Sequence, residues 1–161
     1  MGVSGAGKTV VGTRLAAALG VRFLEGDDLH PAHNVQKMAQ GVPLTDEDRH
    51  GWLEAVATRI AAARRRRTGL VVACSALKRA YRDILRGVPP DGEVRFVHLT
   101  GDRALIARRL AQRVGHFMPA ALLDSQLATL EGPAPEEHAW TFDVADTPES
   151  IVAQIVKRLN A

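Results

Sequence analysis

The octapeptide Gly2-Val3-Ser4-Gly5-Ala6-Gly7-Lys8-Thr9 has the spacing G-x-x-x-x-G-K-[ST] of a phosphate-binding loop. Each residue type has a physical task. The glycines let successive backbone N–H groups turn inward onto phosphate oxygens. Lys8 brings a mobile positive charge to the β and γ phosphates. Thr9 offers a hydroxyl to Mg²⁺, and the helix that begins here adds its positive dipole end. Gly2, Ser4, Gly5, Ala6, Gly7, Lys8 and Thr9 are therefore the candidate nucleotide-binding residues.

A second group with chemistry is Glu25-Gly26-Asp27-Asp28, which closes a short apolar run. In open parallel sheets ligands bind beyond the carboxyl ends of the strands. Asp27 is thus placed to accept a proton from a substrate hydroxyl and orient it for attack, and Glu25 to approach Mg²⁺, directly or through water. Asp28 fits a site residue and a turn residue equally. Two basic pairs follow. Lys78 and Arg82, with Arg79 between them, lie four apart on an expected helix and suit an anionic substrate. Arg109 and Arg113 precede Gly115-His116-Phe117-Met118-Pro119, and arginines that close over a transferred phosphoryl group are catalytically useful. A glycine-broken helix pair at 109–119 has the form of a lid.

Two classes are disfavoured. The run Leu70 to Cys74 ends in Ser75, where a motor-type ATPase or GTPase places an Mg²⁺-holding Asp. The Asn-Lys-x-Asp base-reading motif of GTPases is absent, and Asp48-x-x-Gly51 opens a helix where a strand end is required.

These residues need elements to hold them. The spacing of Val11, Leu15 and Leu19 predicts a helix over 9–19, stopped by Gly20. Strands are expected at 21–24, 70–74, 94–99 and 140–144. Helices are expected from the capping pair Thr45 and Asp48 to Gly69, from Ser75 to about Arg86, from Asp102 to about Val114, from Pro119 to about Leu130, and from Thr147-Pro148 onward. Strands alternating with helices imply a parallel sheet covered on both faces. The phosphate loop should follow a strand, yet only Met1 precedes it. An apolar stretch of roughly 5–10 residues ahead of Met1 is the expectation.

The 161 residues are 46% apolar and 24% charged, which fits one globular domain spanning the chain. No apolar run approaches the roughly 20 residues of a membrane span, no secretory leader is read, and the lone Cys74 excludes an internal disulfide or a multi-cysteine zinc site. A soluble intracellular protein is expected. The net charge of +3 suits anionic ligands, and the run Arg64 to Arg67, without interleaved aromatics, reads as the solvated end of a helix.

Four segments resemble the thermoresistant-type gluconate kinases: the phosphate loop, Gly26-Asp27-Asp28-Leu29-His30-Pro31, the block Ala73 to Asp83, and Gly115 to Pro119. Trp52 within Asp48-Arg49-x-x-Trp52-Leu53 and the segment Ser125 to Glu131 fit as well, so the match spans essentially the whole chain. The resemblance implies a three-layer P-loop kinase fold with strand order 2-3-1-4-5, the first strand truncated here. It implies Mg²⁺-ATP as donor, the 6-hydroxyl of D-gluconate as acceptor, and a cytoplasmic homodimer without nucleic-acid or membrane partners. Lys8, Asp27 and Arg113 would be catalytic. Asp27, His30, Asn34, Lys37, Lys78 and Arg82 would hold the sugar acid, Arg109 and Arg113 the ATP phosphates, Thr9 and Glu25 the metal, and the loop 146–148 would lie near adenine. Relatives often have Asp where this chain has Glu25. A shikimate- or nucleotide-type kinase is the alternative enzyme, and a nucleotide-dependent nucleic-acid-binding module the alternative without catalysis.

Overall fold

Parallel pairing organises the strands. In the computed structural model, which describes residues 1–87, 94–112 and 120–161, β1 (Arg22–Glu25) pairs with β2 (Leu70–Ala73), Arg22 opposite Leu70. β3 (Val97–Thr100) pairs with β4 (Trp140–Asp143), Val97 opposite Trp140. The helices are α1 (Lys8–Leu19), α2 (Ala32–Ala39), α3 (Asp46–Arg65), α4 (Arg79–Arg86), α5 (Arg103–Ala111), α6 (Ala120–Thr129) and α7 (Pro148–Leu159). α1 packs on α7 and α3 on α4, giving two helical layers around the strands. Val11, Leu15, Trp52, Leu53, Val56, Leu85, Leu99, Ile106, Phe142 and Ile155 make up much of the buried core. Among the described residues no helix is long and apolar enough to cross a membrane.

The two pairs stand where strands 2-3 and 4-5 are expected, and they are not bonded to each other. The central place between them is held by Met1 and Gly2. The Met1 nitrogen donates to the Val97 carbonyl, and the Met1 carbonyl accepts from Leu99 N–H at 2.9 Å. Gly2 N–H donates to the Ser75 carbonyl at 3.1 Å.

Local signals explain most boundaries. Gly20 adopts a left-handed conformation (φ 65°) and returns its N–H to Ala16 and Ala17, ending α1. Thr45 and Asp48 form a reciprocal capping box on α3. Asp102 accepts from Ala104 and Leu105 N–H, and Thr147 from Ser150 N–H ahead of Pro148. The first and third strands lie slightly later than expected, at 22–25 and 97–100, and α2 has no counterpart in the sequence reading.

One boundary is corrected. Ser75 does not cap α4, which begins at Arg79 after an extended Lys78 (φ −98°, ψ 154°). The intervening carbonyls are already engaged: Ser75 with Gly2 N–H, Ala76 with the Arg82 guanidinium, and Leu77 with both Arg82 and Glu131 N–H. Backbone groups bonded to distant partners cannot also close a helical turn. The Arg64 to Arg67 run falls at the end of α3, where cations complement the dipole, and Arg64 donates to the Arg86 carbonyl.

Candidate active site

The phosphate loop is built by backbone conformation. Gly7 takes a left-handed conformation (φ 85°) as the N-cap of α1, and no side chain caps that helix, so its first N–H groups point at the loop. A Cβ at Gly5 (φ 83°) would lie 2.6 Å from Leu110 Cγ, so the loop has no room for one. Lys8 Nζ donates to the Val3 carbonyl at 3.0 Å, which folds its charge back over the loop. Ser4 N–H donates to Gln126 Oε1 at 2.7 Å, tying the loop to α6.

Thr9 Oγ1 donates to Glu25 Oε2 at 2.6 Å, so the hydroxyl and carboxylate assigned to the metal meet at the loop. Mg²⁺ retains several waters and takes one or two protein ligands besides phosphates. This pair of hard oxygen ligands fits it. Among the described residues no cluster of three or more His, Cys, Asp or Glu forms a protein-only metal cage.

Asp27 lies on a single 3-10 turn at the carboxyl end of β1. Close packing sets its position: a Cβ at Gly26 would come within 2.4 Å of the Ala73 carbonyl oxygen, and Trp52 Nε1 donates to the Gly26 carbonyl at 2.7 Å. The Asp27 side chain is 65% exposed, as a group that meets substrate requires. His30 stacks on Trp52 with centroids 4.1 Å apart. Asn34 Nδ2 donates to the Asp48 carbonyl at 2.7 Å and reaches His30 Nδ1 at 3.2 Å. Nδ1 therefore accepts, and the hydrogen-bond network assigns the ring proton to Nε2, 4.0 Å from Asp27 Oδ1. Burial depresses the His30 pKa; Asp27 opposes the shift and Arg49 adds to it. A neutral ring thus presents an N–H donor beside Asp27.

Asp27, His30, Lys8, Ser4 and Ser75 face one small cavity of about 60 Å³, together with Arg49, Trp52 and Gln126. Arg49, Ser75 and Gln126 were not read from the sequence as site residues. Arg49 donates to the Tyr81 hydroxyl at 3.2 Å. It lies one turn before the buried Trp52 on α3, a helical spacing that was available as a signal. Gln126 lies within a segment quoted for the family resemblance, but a polar helix residue carries no mark of what it faces.

The remaining candidates disperse. Asn34 is fully buried and acts through His30. Lys37 bonds both Asp48 oxygens at 2.9 and 2.8 Å, and that contact holds the Asp48 carboxyl down at about 2. Lys78 likewise bonds both oxygens of Asp46, raising its own pKa and lowering that of Asp46. Arg109 donates to the Val144 carbonyl at 2.8 Å, just ahead of the 146–148 loop. Arg113 and 115–119 lie outside the described residues.

Arg82 is a correction. It is fully buried, with Nε and Nη2 on the two Glu137 oxygens at 2.6 and 2.7 Å and Nη1 on the Ala76, Leu77 and Glu131 carbonyls. Each of its three nitrogens is bonded inside the protein and the side chain is fully buried, so it is not presented to a sugar acid.

A phosphate loop opening α1, with the Asp27 side chain facing the same small cavity, is the arrangement of a P-loop kinase for a small acceptor. Comparison with known proteins narrows the class. Residues 1–133 match the family model described as an AAA domain. The chain is 51% identical over 138 residues to the thermosensitive gluconokinase of Escherichia coli, covering 85% of this chain and 72% of that protein. It is 46% identical to the gluconokinase of Gluconobacter oxydans over 161 residues, covering 100% of this chain and 89% of that one. The crystal structure of a gluconokinase from Sinorhizobium meliloti superimposes with a TM-score of 0.82 at 45% identity, covering 99% of this chain and 93% of that one. This chain belongs to the gluconokinase family.

Proposed function

We propose that the chain transfers the γ-phosphoryl group of ATP to the 6-hydroxyl of D-gluconate, giving 6-phospho-D-gluconate and ADP. The observation that carries this reading is the convergence of Lys8, Asp27 and Arg49 on one cavity, in a chain of the gluconokinase family. Thr9 and Glu25, the latter directly or through water, would hold Mg²⁺, which would supply charge neutralisation at the phosphates.

Asp27 accepts the proton of the 6-hydroxyl as the O6–phosphorus bond forms and the bond to the β,γ-bridging oxygen breaks. His30 Nε2–H donates to a neighbouring hydroxyl of the acceptor. Arg49 takes the carboxylate, as the cation on the pocket wall. Lys8, the loop N–H groups and the arginines near the lid, Arg109 and Arg113, offset the charge on the transferred group, so catalysis comes mainly from positioning and electrostatics. Lys78 does not line that cavity and is linked to Arg49 through Asp46 and the Tyr81 hydroxyl. The family resemblance supports one domain across 1–161 with a lid near 109–119, acting as a cytoplasmic homodimer without nucleic-acid or membrane partners.

The test is coupled ADP release with gluconate, other sugar acids, shikimate and nucleoside monophosphates. Turnover with gluconate and none with shikimate or nucleotides is expected. Turnover confined to shikimate or a nucleotide overturns the reading.

A further inference from the structure

α6 is fixed to the rest of the protein along its length. Just past its carboxyl end, Glu131 N–H donates to the Leu77 carbonyl at 2.8 Å, and a Glu131 carboxylate oxygen accepts from Arg79 N–H at 2.7 Å. Leu122 and Leu123 anchor its first half in the core. Between these points Gln126 reaches the phosphate loop, where its Oε1 accepts from Ser4 N–H at 2.7 Å.

That bond settles the carboxamide. A backbone N–H needs an acceptor, so the oxygen faces the loop and Nε2 takes the other branch of the planar group. Among the described residues no acceptor takes an Nε2–H. Gln126 lines the cavity that Ser4, Lys8, Asp27 and Arg49 also face. Two uncommitted neutral donors are therefore held, on a helix pinned at both ends, at the junction of the phosphate loop and the acceptor cavity.

A brace for the loop would need one acceptor oxygen and no more. A carboxylate would supply it, but would set a negative charge beside a loop shaped for phosphates. The amide supplies the same oxygen without charge and adds donors. The charged groups of the cavity, Lys8, Arg49 and Asp27, are matched to phosphate, carboxylate and the reacting hydroxyl. The remaining hydroxyls of a sugar acid are neutral and call for neutral partners. A site that donates to a substrate oxygen also rejects the analogue lacking it.

We infer that Gln126 is a specificity-determining residue for the acceptor: Oε1 holds the phosphate loop through Ser4, and Nε2 donates to one secondary hydroxyl of the sugar acid. One side chain then sets the acceptor's position against the loop that carries the phosphoryl donor. This rests on the gluconate reading proposed above.

The test is a cycle between residue and substrate, on the full chain. kcat/KM is measured for gluconate and for its single-deoxy analogues lacking the hydroxyl at carbon 2, 3, 4 or 5. The parent is compared with Gln126→Ala and with Gln126→Met, which keeps length and neutrality but has no N–H. Both variants are expected to lose about tenfold on gluconate, the worth of one hydrogen bond, with ATP KM within about threefold of the parent. One analogue is expected to lose about tenfold in the parent and nothing further in either variant, because the bond is already gone. Equal losses on gluconate and on every analogue overturn the inference, leaving Gln126 a brace for the loop. So does a raised ATP KM with unaltered gluconate kinetics. A parent chain that turns over no gluconate overturns the proposed function, and this inference with it.

Discussion

Two regions flank the irregular segment 75–78, and each is organised around an arginine. On one side, Arg49 stands in the wall of the small cavity that Asp27 and Lys8 also face, with the Tyr81 hydroxyl as its partner. On the other, Arg82 is enclosed beneath α4, with Glu137 and three carbonyls taking its N–H groups. The guanidinium chemistry is identical. What differs is how many of its donors the protein itself consumes, and this decides which arginine can recognise an anion and which holds α4 to the chain at 131–137.

The contrast breaks most sharply at Asp27. Asp27→Asn is expected to cost about 10²- to 10⁴-fold in turnover, the usual worth of general-base assistance, while its exposed position leaves the melting temperature nearly unchanged. Steady-state kinetics beside a thermal melt check both halves. Near-normal turnover at saturating gluconate removes Asp27 from the chemistry.

Arg82→Ala should act in the opposite way. It removes the two shortest bonds on the buried Glu137 carboxylate, leaving only Arg86 and the Ala134 N–H, and is expected to destabilise the fold by about 3 kcal/mol, a fall of about 10 °C in Tm, with little change in gluconate KM for the fraction that stays folded. A raised KM at an unaltered Tm would return Arg82 to the substrate site. The same pair gives a pH signature. Arg82 holds the Glu137 pKa at about 2, below its ordinary 4.5. The stability it contributes is present above the ordinary value and lost as pH falls toward about 2. Tm measured from pH 6 down should show this acid loss in the parent chain and less of it in Arg82→Ala.

The smallest effects separate Arg49, in the cavity wall, from Lys78, which is paired with Asp46. Arg49→Ala is expected to raise gluconate KM by about 10- to 100-fold, the worth of a hydrogen bond to a charged group. Lys78→Ala should change it by less than about threefold, since Lys78 is already paired with Asp46 at a solvent-exposed site. The reverse order would make Lys78 the carboxylate's partner.

Much of this site was legible in the sequence. The phosphate loop announces itself by residue type and spacing, Glu25 and Asp27 are candidates by their place at a strand end beside it, and His30 enters through the family resemblance. Gln126 does not, because nothing local distinguishes a helix residue that lines a pocket from one that meets water, and for Arg49 the only local signal is its one-turn spacing from Trp52. Arg82 misled for the related reason that its helix spacing from Lys78 suggested a shared surface, whereas its partner Glu137 is 55 residues away.

Elements whose causes are local could be read directly from residue order. Gly7 and Gly20 bound α1, Thr45 with Asp48 opens α3, and Asp102 and Thr147 cap α5 and α7, each within four residues of the groups it bonds. The packed fold was needed to set where α4 begins, and which arginine faces the small cavity and which is enclosed. Those outcomes depend on hydrogen bonds between residues that only folding brings together, and a buried donor is committed to whichever acceptor the packing sets against it.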